Sequence, residues 1–302
     1  MTVSRIVRAL LLLLLAAIIA LFAAEAGFRT LHADAAHPLS LSGIRWSQRH
    51  ITLNAHGFRD HEWSPDDLTG KTVVAVLGDE IALGWGIDDP AQRFSDVLAA
   101  ALGSDYAVVN LGLLGSGTAE QTDALRALPI APDVIVWAYA LGDIESAAFR
   151  HGAAWTVPMV DVPPLARGSH LAAAWFWHDQ AGSFPAAHPA YWAWVYGQYD
   201  DPLVMDAHAA EVAAFMDAAE SHSAPVIAAV FPNPLDVVGS IAYSDRVAKV
   251  IAGEGGAVWT LFDAAAGQPD GYTISPALPL PNAAFHRLVG VGLAERIIAL
   301  PR

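Results

Sequence analysis

The chain contains no cysteine, and only Lys71 and Lys249 as lysines, among its 302 residues. The first absence excludes disulfides, zinc-thiolate sites, iron-sulfur clusters, a cysteine nucleophile and a lipoprotein anchor. The second, with arginines scattered singly and 16 basic residues against 31 acidic ones for a net charge of -15, excludes the basic stripe that nucleic-acid binding by counterion release needs. Charged residues are scarce at 16%, whereas 54% of the chain is hydrophobic, a balance that excludes disorder. A chain of this size buries roughly three quarters of the surface of its unfolded form, enough for one large domain or two small ones.

The apolar residues are unevenly spread. Ala9 to Ala24 is a run of sixteen uncharged apolar residues, preceded by Arg5 and Arg8 and followed by Glu25. Positive charge ahead of the run keeps the N-terminus in the cytoplasm and exports the rest, so the expected location is the inner membrane, with the domain in the periplasm or outside the cell. Two readings stand side by side. Ala24-Glu25-Ala26 fits a small-x-small cleavage pattern, giving a secreted product; alternatively Ile6 to Phe28 continues as one helix and approaches the ~20 residues that span a bilayer. Residues 1–26 are read as this signal anchor or signal peptide, the anchor being preferred. The exported part retains 14 basic against 30 acidic residues and gains nothing from anionic lipid; the partner membrane is reached through the terminal helix.

Residues 27–70 read as an irregular lead-in with isolated aromatics, Trp46 and Trp63, and no sustained period. From residue 71 to 302 the pattern is that of one α/β domain. Continuous apolar, β-branched runs at 72–77, 106–111, 134–139, 226–231 and 257–262 are expected as strands buried on both faces. Stretches 91–102, 119–128, 207–221, 240–252 and 283–300 carry apolar residues at helical spacing. This alternation predicts a parallel sheet with helices on both faces and a site at the carboxyl ends of the strands. Residues 150–206 interrupt it with Trp155, Trp175, Trp177, Trp192, Trp194 and four histidines, and read as an inserted subdomain or cap over the strand ends. Trp175 and Trp177, like Trp192 and Trp194, would share a face if extended; packing of the cap is preferred over stacking of a sugar or acyl ligand.

The strand ends carry motifs. Leu77-Gly78-Asp79-Glu80 runs into Gly84-Trp85-Gly86-Ile87; Asn54-Ala55-His56-Gly57-Phe58-Arg59-Asp60 lies upstream; Asn110-Leu111-Gly112-Leu113-Leu114-Gly115-Ser116-Gly117-Thr118 ends the second strand; Gly142-Asp143-Ile144 follows the third; and Pro281-Asn282-Ala283-Ala284-Phe285-His286-Arg287-Leu288 opens the last helix. In this order they resemble the SGNH/GDSL hydrolase family, in particular its membrane-anchored bacterial members, with GDSxxxGxGV, N-x-x-GFRD, NxGxxGxGT, GNDI and HPNxxGHRL. The resemblance spans residues 54 to 288 and implies a flavodoxin-like fold and ester chemistry. A serine attacks the carbonyl, a histidine takes its proton, an aspartate three residues earlier orients the ring, and an oxyanion is held by backbone N–H groups and an asparagine.

At the matching positions stand Glu80 for serine, Gly142 for asparagine, Leu280 for histidine and Ala277 for aspartate; Gly115 alone keeps its family identity. Leucine transfers no proton and glycine has no side chain to donate. The resemblance thus implies a catalytically degenerate member, a pseudoenzyme of the cell envelope with a binding or scaffolding role linked to surface polysaccharide. A carbohydrate or acyl ligand and an envelope protein are the partners considered. The rival is an active esterase or acyltransferase with a rearranged site, in which Glu80, Asp143 or His286 takes a new role. Asp79, Glu80, Gly115, Asp143 and His286 are the candidate cleft residues. For Glu80 the preferred reading is a carboxylate that occupies the vacated oxyanion site by accepting from backbone N–H groups near Gly115. Asp79 and Asp143 are expected to tie turns together, and His286 to pack or cap. No metal is expected, since the histidines show no H-x-x-H, H-x-x-x-H or H-E-x-x-H spacing, and no cofactor is implied.

Overall fold

In a computed structural model, which describes residues 3–156, 160–178, 180, 184–268 and 271–301, the alternation read from the sequence becomes a doubly wound sheet. Strands β1 (Thr72–Gly78), β2 (Tyr106–Asn110), β3 (Val134–Ala140), β4 (Val226–Phe231) and β5 (Ala257–Thr260) are all parallel and lie in the order β2-β1-β3-β4-β5. This is the flavodoxin-like order, whose chain reversal beside β1 opens a crevice at the carboxyl ends of β1 and β3. The last strand is shorter than its apolar run because Leu261 already precedes a helical turn.

The helices in chain order are α1 (Val3–Leu31), α2 (Leu41–His50), α3 (Pro65–Leu68), α4 (Glu80–Leu83), α5 (Phe94–Leu102), α6 (Thr118–Ala127), α7 (Glu145–Arg150), α8 (Pro164–Gly168), α9 (His170–His178), α10 (Pro189–Asp200), α11 (Pro202–Ser221), α12 (Ile241–Gly253), α13 (Phe262–Ala266) and α14 (Ala283–Ile298). Strand periodicity divides the core. Ala75, Leu77, Ile135, Trp137 and Tyr139 face α6 and α11, where Trp137 stacks on Phe215 with ring centroids 4.0 Å apart. Val74, Val76, Val136 and Ala138 face α5 and α14, against Phe94, Leu98, Phe285 and Leu293. Burying each Val, Leu, Ile or Phe among these contributes about 1.5–3 kcal/mol, which is why both faces of these strands are apolar.

The lead-in is not irregular. α1 runs on through residue 31, and Ser40 caps α2 by accepting from Gly43 N at 3.0 Å. Trp46 of α2 is buried against Trp85 and donates to Asp88 Oδ1 at 2.7 Å; Trp85 in turn donates to Ala35 O at 2.9 Å. A ten-residue helix with few apolar positions gives little periodic signal, and its stability comes from this packing.

Residues 150–206, read as an inserted subdomain or cap, are helical and not extended around the paired tryptophans. The described residues form α8, α9 and α10 and lead into α11, so Trp175, Trp177, Trp192 and Trp194 stand on helices, and two-residue spacing there turns the rings to different sides. Trp177 and Trp192 are buried, whereas Trp175 is 82% exposed. α10 lies over the strand ends: Tyr199 donates to Leu141 O at 3.1 Å, and Asn233 after β4 donates to Tyr196 Oη at 2.8 Å. α8 and α9 instead reach α1.

Candidate functional site

Three turns after β1, β2 and β3 build the site. In the first, Asp79 caps α4, its Oδ1 accepting from Ile81 N at 2.8 Å, which places Glu80 on the opening turn. In the second, Asn110 donates to Ala82 O at 2.7 Å and to Ser95 Oγ at 2.8 Å, and accepts from Gly112 N at 2.8 Å. The upstream Asn54–Asp60 segment braces both: Asp60 Oδ2 accepts from Asn110 N at 2.9 Å, and buried Arg59 donates to Gly84 O at 2.5 Å and Ile87 O at 2.8 Å. In the third, Asp143 accepts from Ala140 N and from Gln121 Nε2, each at 3.1 Å, while Gln121 accepts from Trp137 Nε1 at 2.6 Å. Asp79 thus spends Oδ1 on its own turn, and Asp143 spends Oδ2 on its turn and Oδ1 on the Gln121 side chain of α6.

Glu80 Oε2 accepts from Gly115 N at 3.2 Å. Gly115 has φ +66°, the left-handed region that a side chain disfavours; this conformation turns its N–H toward the first turn. The carboxylate therefore takes a backbone donor that the family resemblance assigns to an oxyanion.

The acids here crowd one another. Burial drives Asp79 well above the usual carboxylate range, helped by the charges of Glu80 and Asp143. Asp143 is likewise driven well up by burial and by Glu80, against the backbone bond from Ala140. Glu80 is raised by burial against the pull of its own and Gly115's N–H groups, and Glu145 is raised by burial and by Glu80 although it accepts from Tyr191. Asp79 and Glu80 line a cavity in which no lysine, arginine or histidine takes part, so no cation in its lining offsets the upward shifts.

That cavity holds about 40 Å³, where ligand sites in proteins hold roughly 300–1,000 Å³. Asp79, Glu80, Gly142 and Leu280 line it together, so the structure assembles the positions matching the family nucleophile, asparagine and histidine. The walls that fill it come from elsewhere: Tyr191 and Trp192 of α10, Phe231 at the end of β4 with Pro232 and Pro234 after it, and Tyr272 with Pro279 and Pro281. A Cβ on Gly142 would lie 2.7 Å from the Tyr191 hydroxyl and 3.8 Å from Glu145 Oε1. Tyr191 is buried and its hydroxyl donates to Glu145 Oε1. Sequence reasoning missed Tyr191 and Glu145 because neither lies in a motif; the one available signal was the aromatic density of the insertion.

Residues 274–282, ahead of α14, are held by hydrogen bonds with no ionisable side chain among them. Ile274 N donates to Leu280 O at 2.9 Å, Leu278 N to Ser275 O at 3.1 Å, and Asn282 caps α14 by accepting from Phe285 N at 3.0 Å. Leu280 is buried in the apolar core. Ala277 lies outside the cavity, in a separate groove with His37, Trp175 and Trp177.

His286 does not belong with the acids. It is buried on α14, its Nδ1 accepts from Phe94 N at 3.0 Å, and its ring stacks on Phe94 with centroids 5.7 Å apart. Burial, with the charges of Arg93 and Arg59, lowers its pKa to about 3. It is a neutral acceptor holding the start of α5, and no base for Glu80. Among the described residues, no three His, Asp or Glu side chains are grouped to hold a metal ion.

No protein-family model and no curated protein sequence matches the chain. Solved structures do. The chain is similar to TesA at 18% identity, covering 75% of this chain and 99% of that one, with a TM-score of 0.43. It is similar to an aryl esterase of M. smegmatis at 14% identity over 76% and 100% of the two chains, TM-score 0.41. Est24, a carbohydrate acetylesterase from Sinorhizobium meliloti, aligns at 15% identity over 76% and 100%, TM-score 0.39.

Proposed function

We propose that this chain is a membrane-tethered pseudoenzyme of the cell envelope, an SGNH-like fold that has given up ester hydrolysis for a binding or scaffolding role. One observation carries the reading. Glu80, Gly142 and Leu280 stand where the resemblance expects a nucleophile, an oxyanion donor and a base, and they line a cavity of about 40 Å³ closed by Tyr191. Nucleophilic acyl transfer needs an activated nucleophile beside a base and room for a tetrahedral carbon. None of the three side chains supplies such a pair, and the imidazole nearest in sequence to the site loop, His286, is engaged with Phe94 N.

The tether is the apolar helix α1, in which residues 5–31 are long and apolar enough to span a bilayer. Two bonds support an uncleaved anchor. Glu25 accepts from Ser169 Oγ at 2.7 Å, and Arg49 donates to Leu31 O at 3.3 Å, so the helix is fastened to the domain on both sides of Ala26. The domain then sits on the exported side. A role beside surface polysaccharide rests on the family resemblance alone.

The test is turnover of short p-nitrophenyl esters by the full chain in detergent. The expected result is no hydrolysis above background. Hydrolysis that vanishes in Glu80→Ala but persists in Arg126→Ala, an exposed position on α6, overturns the reading in favour of an esterase or acyltransferase with a rearranged site.

A further inference from the structure

A second hollow shares no lining residue with the cavity at the strand ends. A groove of about 990 Å³ runs between α1 and the α8–α9 hairpin, walled by Leu21 and Phe22 on one side and by Leu165, Leu171, Trp175 and Phe176 on the other. Its edge is open and apolar: Phe22 and Leu165 are each 72% exposed and Trp175 82%. An apolar surface of this extent is costly in water.

Depth along α1 says what covers it. The run that begins at Ala9, after Arg8, needs about 20 residues to cross ~30 Å of hydrocarbon at ~1.5 Å per residue, which ends near Phe28. Leu21 and Phe22 then lie in the outer half of the hydrocarbon layer. The hairpin walls pack at the same level, because Leu165 and Trp175 share one groove with them.

The polar groups at this depth are arranged for such a setting. A carboxylate and a set of free helix N–H groups are each expensive within a bilayer. Here they satisfy each other: Glu25 accepts from Ser169 Oγ at 2.7 Å, His170 N at 2.9 Å and Leu171 N at 3.0 Å, covering the opening turn of α9. Arg29, one turn farther out on α1, lines the end of the same groove, at the level where phosphate groups stand. Trp175 has the amphipathic ring favoured at that boundary.

We propose that the α8–α9 hairpin is a membrane-docking element, which lies in the outer leaflet beside the anchor and encloses a hydrocarbon chain of a bilayer phospholipid between Leu21, Phe22, Leu165 and Trp175. The exported part is acidic, so this docking is driven by apolar burial and not by attraction to anionic lipid. It rests on the reading of α1 as an uncleaved span, and fixes the domain against the membrane surface where a bare anchor would leave it swinging. The loop bearing Ala277, which shares a groove with Trp175 and Trp177, is brought next to the bilayer.

The absence of cysteine makes the test direct. Single variants Leu13→Cys, Leu165→Cys, Trp175→Cys and Glu254→Cys of the full chain are nitroxide-labelled and reconstituted in phosphatidylcholine vesicles. Collision with oxygen, which enters lipid, is compared with collision with a nickel chelate, which does not. Glu254 is exposed just ahead of β5, at the amino end of the sheet, and gives the aqueous reference. Labels at 165 and 175 are expected to match Leu13, with an oxygen-to-nickel ratio several-fold above that at 254. Ratios at 165 and 175 equal to that at 254, with Leu13 still lipidic, overturn the docking and leave the anchor standing. An aqueous ratio at Leu13, or its loss from the mature chain, overturns both.

Discussion

The Tyr191 hydroxyl lies 2.7 Å from the point where a Cβ on Gly142 would be. Gly142 is where the family resemblance expects an asparagine, so the residue that would donate to an oxyanion is missing and its space is taken by an aromatic ring from α10. The two changes fit each other: without a side chain at 142, Tyr191 can close on the strand end and donate to Glu145.

This pairing is measurable. Gly142→Ala is expected to cost about 1–3 kcal/mol of stability, the usual range for overpacking, and Tyr191→Phe, which removes the clashing oxygen, should recover much of it. A double-mutant cycle on urea unfolding of the detergent-solubilised chain gives the coupling. Strictly additive losses would mean that the hydroxyl does not fill the space beside residue 142.

Rebuilding the family side chains should not restore hydrolysis by itself. Glu80→Ser with Ala277→Asp and Leu280→His supplies a nucleophile, an orienting acid and a base, yet Tyr191 and Trp192 still wall a cavity that holds about 40 Å³ in the native chain. Ester turnover is expected to stay at background in that triple variant and to emerge only when Tyr191→Ala is added. Activity in the triple variant alone would show that the walls yield.

Two sets of groups bend the stability curve in opposite directions. Asp79, Glu80 and Asp143 have raised pKa values in the fold, from burial in all three and, for the two aspartates, from the charge of Glu80 as well. The folded state therefore holds protons that the unfolded chain releases, and stability falls as pH rises above the ordinary carboxylate range toward the raised values. Glu80→Gln keeps an acceptor for Gly115 N and removes the charge that presses on the two aspartates. It should flatten this fall and stabilise the chain at neutral pH, as read by unfolding midpoints across pH.

His286 works the other way. Its pKa of about 3 in the fold lies below the ordinary value of 6.5, so the unfolded chain takes a proton that the folded one refuses. The stability it contributes is complete above about pH 6.5 and is lost as pH falls toward 3. His286→Asn, whose Oδ1 can still accept from Phe94 N, should lower overall stability through lost packing while flattening the slope in that window. An unchanged slope would place a titrating imidazole elsewhere.

Glu25→Ala removes the cap on α9, a loss of the order of 1 kcal/mol for such positions. Hydrogen exchange in the reconstituted full chain should show faster exchange at His170 to Ala173 with α10 unaffected. Equal protection in the variant would mean that α9 does not depend on the anchor helix.

Much of this protein is determined by sequence alone. The strands are legible because burial on both faces demands unbroken apolar runs, and the N-terminal apolar helix because its run is long and free of charge. The chemistry closed to Leu280 and Gly142 is equally plain, since residue type decides what either can do in any conformation. Even the Glu80–Gly115 bond follows from a carboxylate placed near free backbone donors. Tertiary structure decided the rest. The closing of the cavity by Tyr191, the engagement of His286 with Phe94 and the capping of α9 by Glu25 each join residues far apart in the chain, and such contacts leave no periodic trace. The lead-in helices were hidden for the same reason, their stability coming from Trp46 and Trp85 packing together and not from local pattern. Local patterns report what a segment buries, whereas the site depends on which distant segment is buried against it.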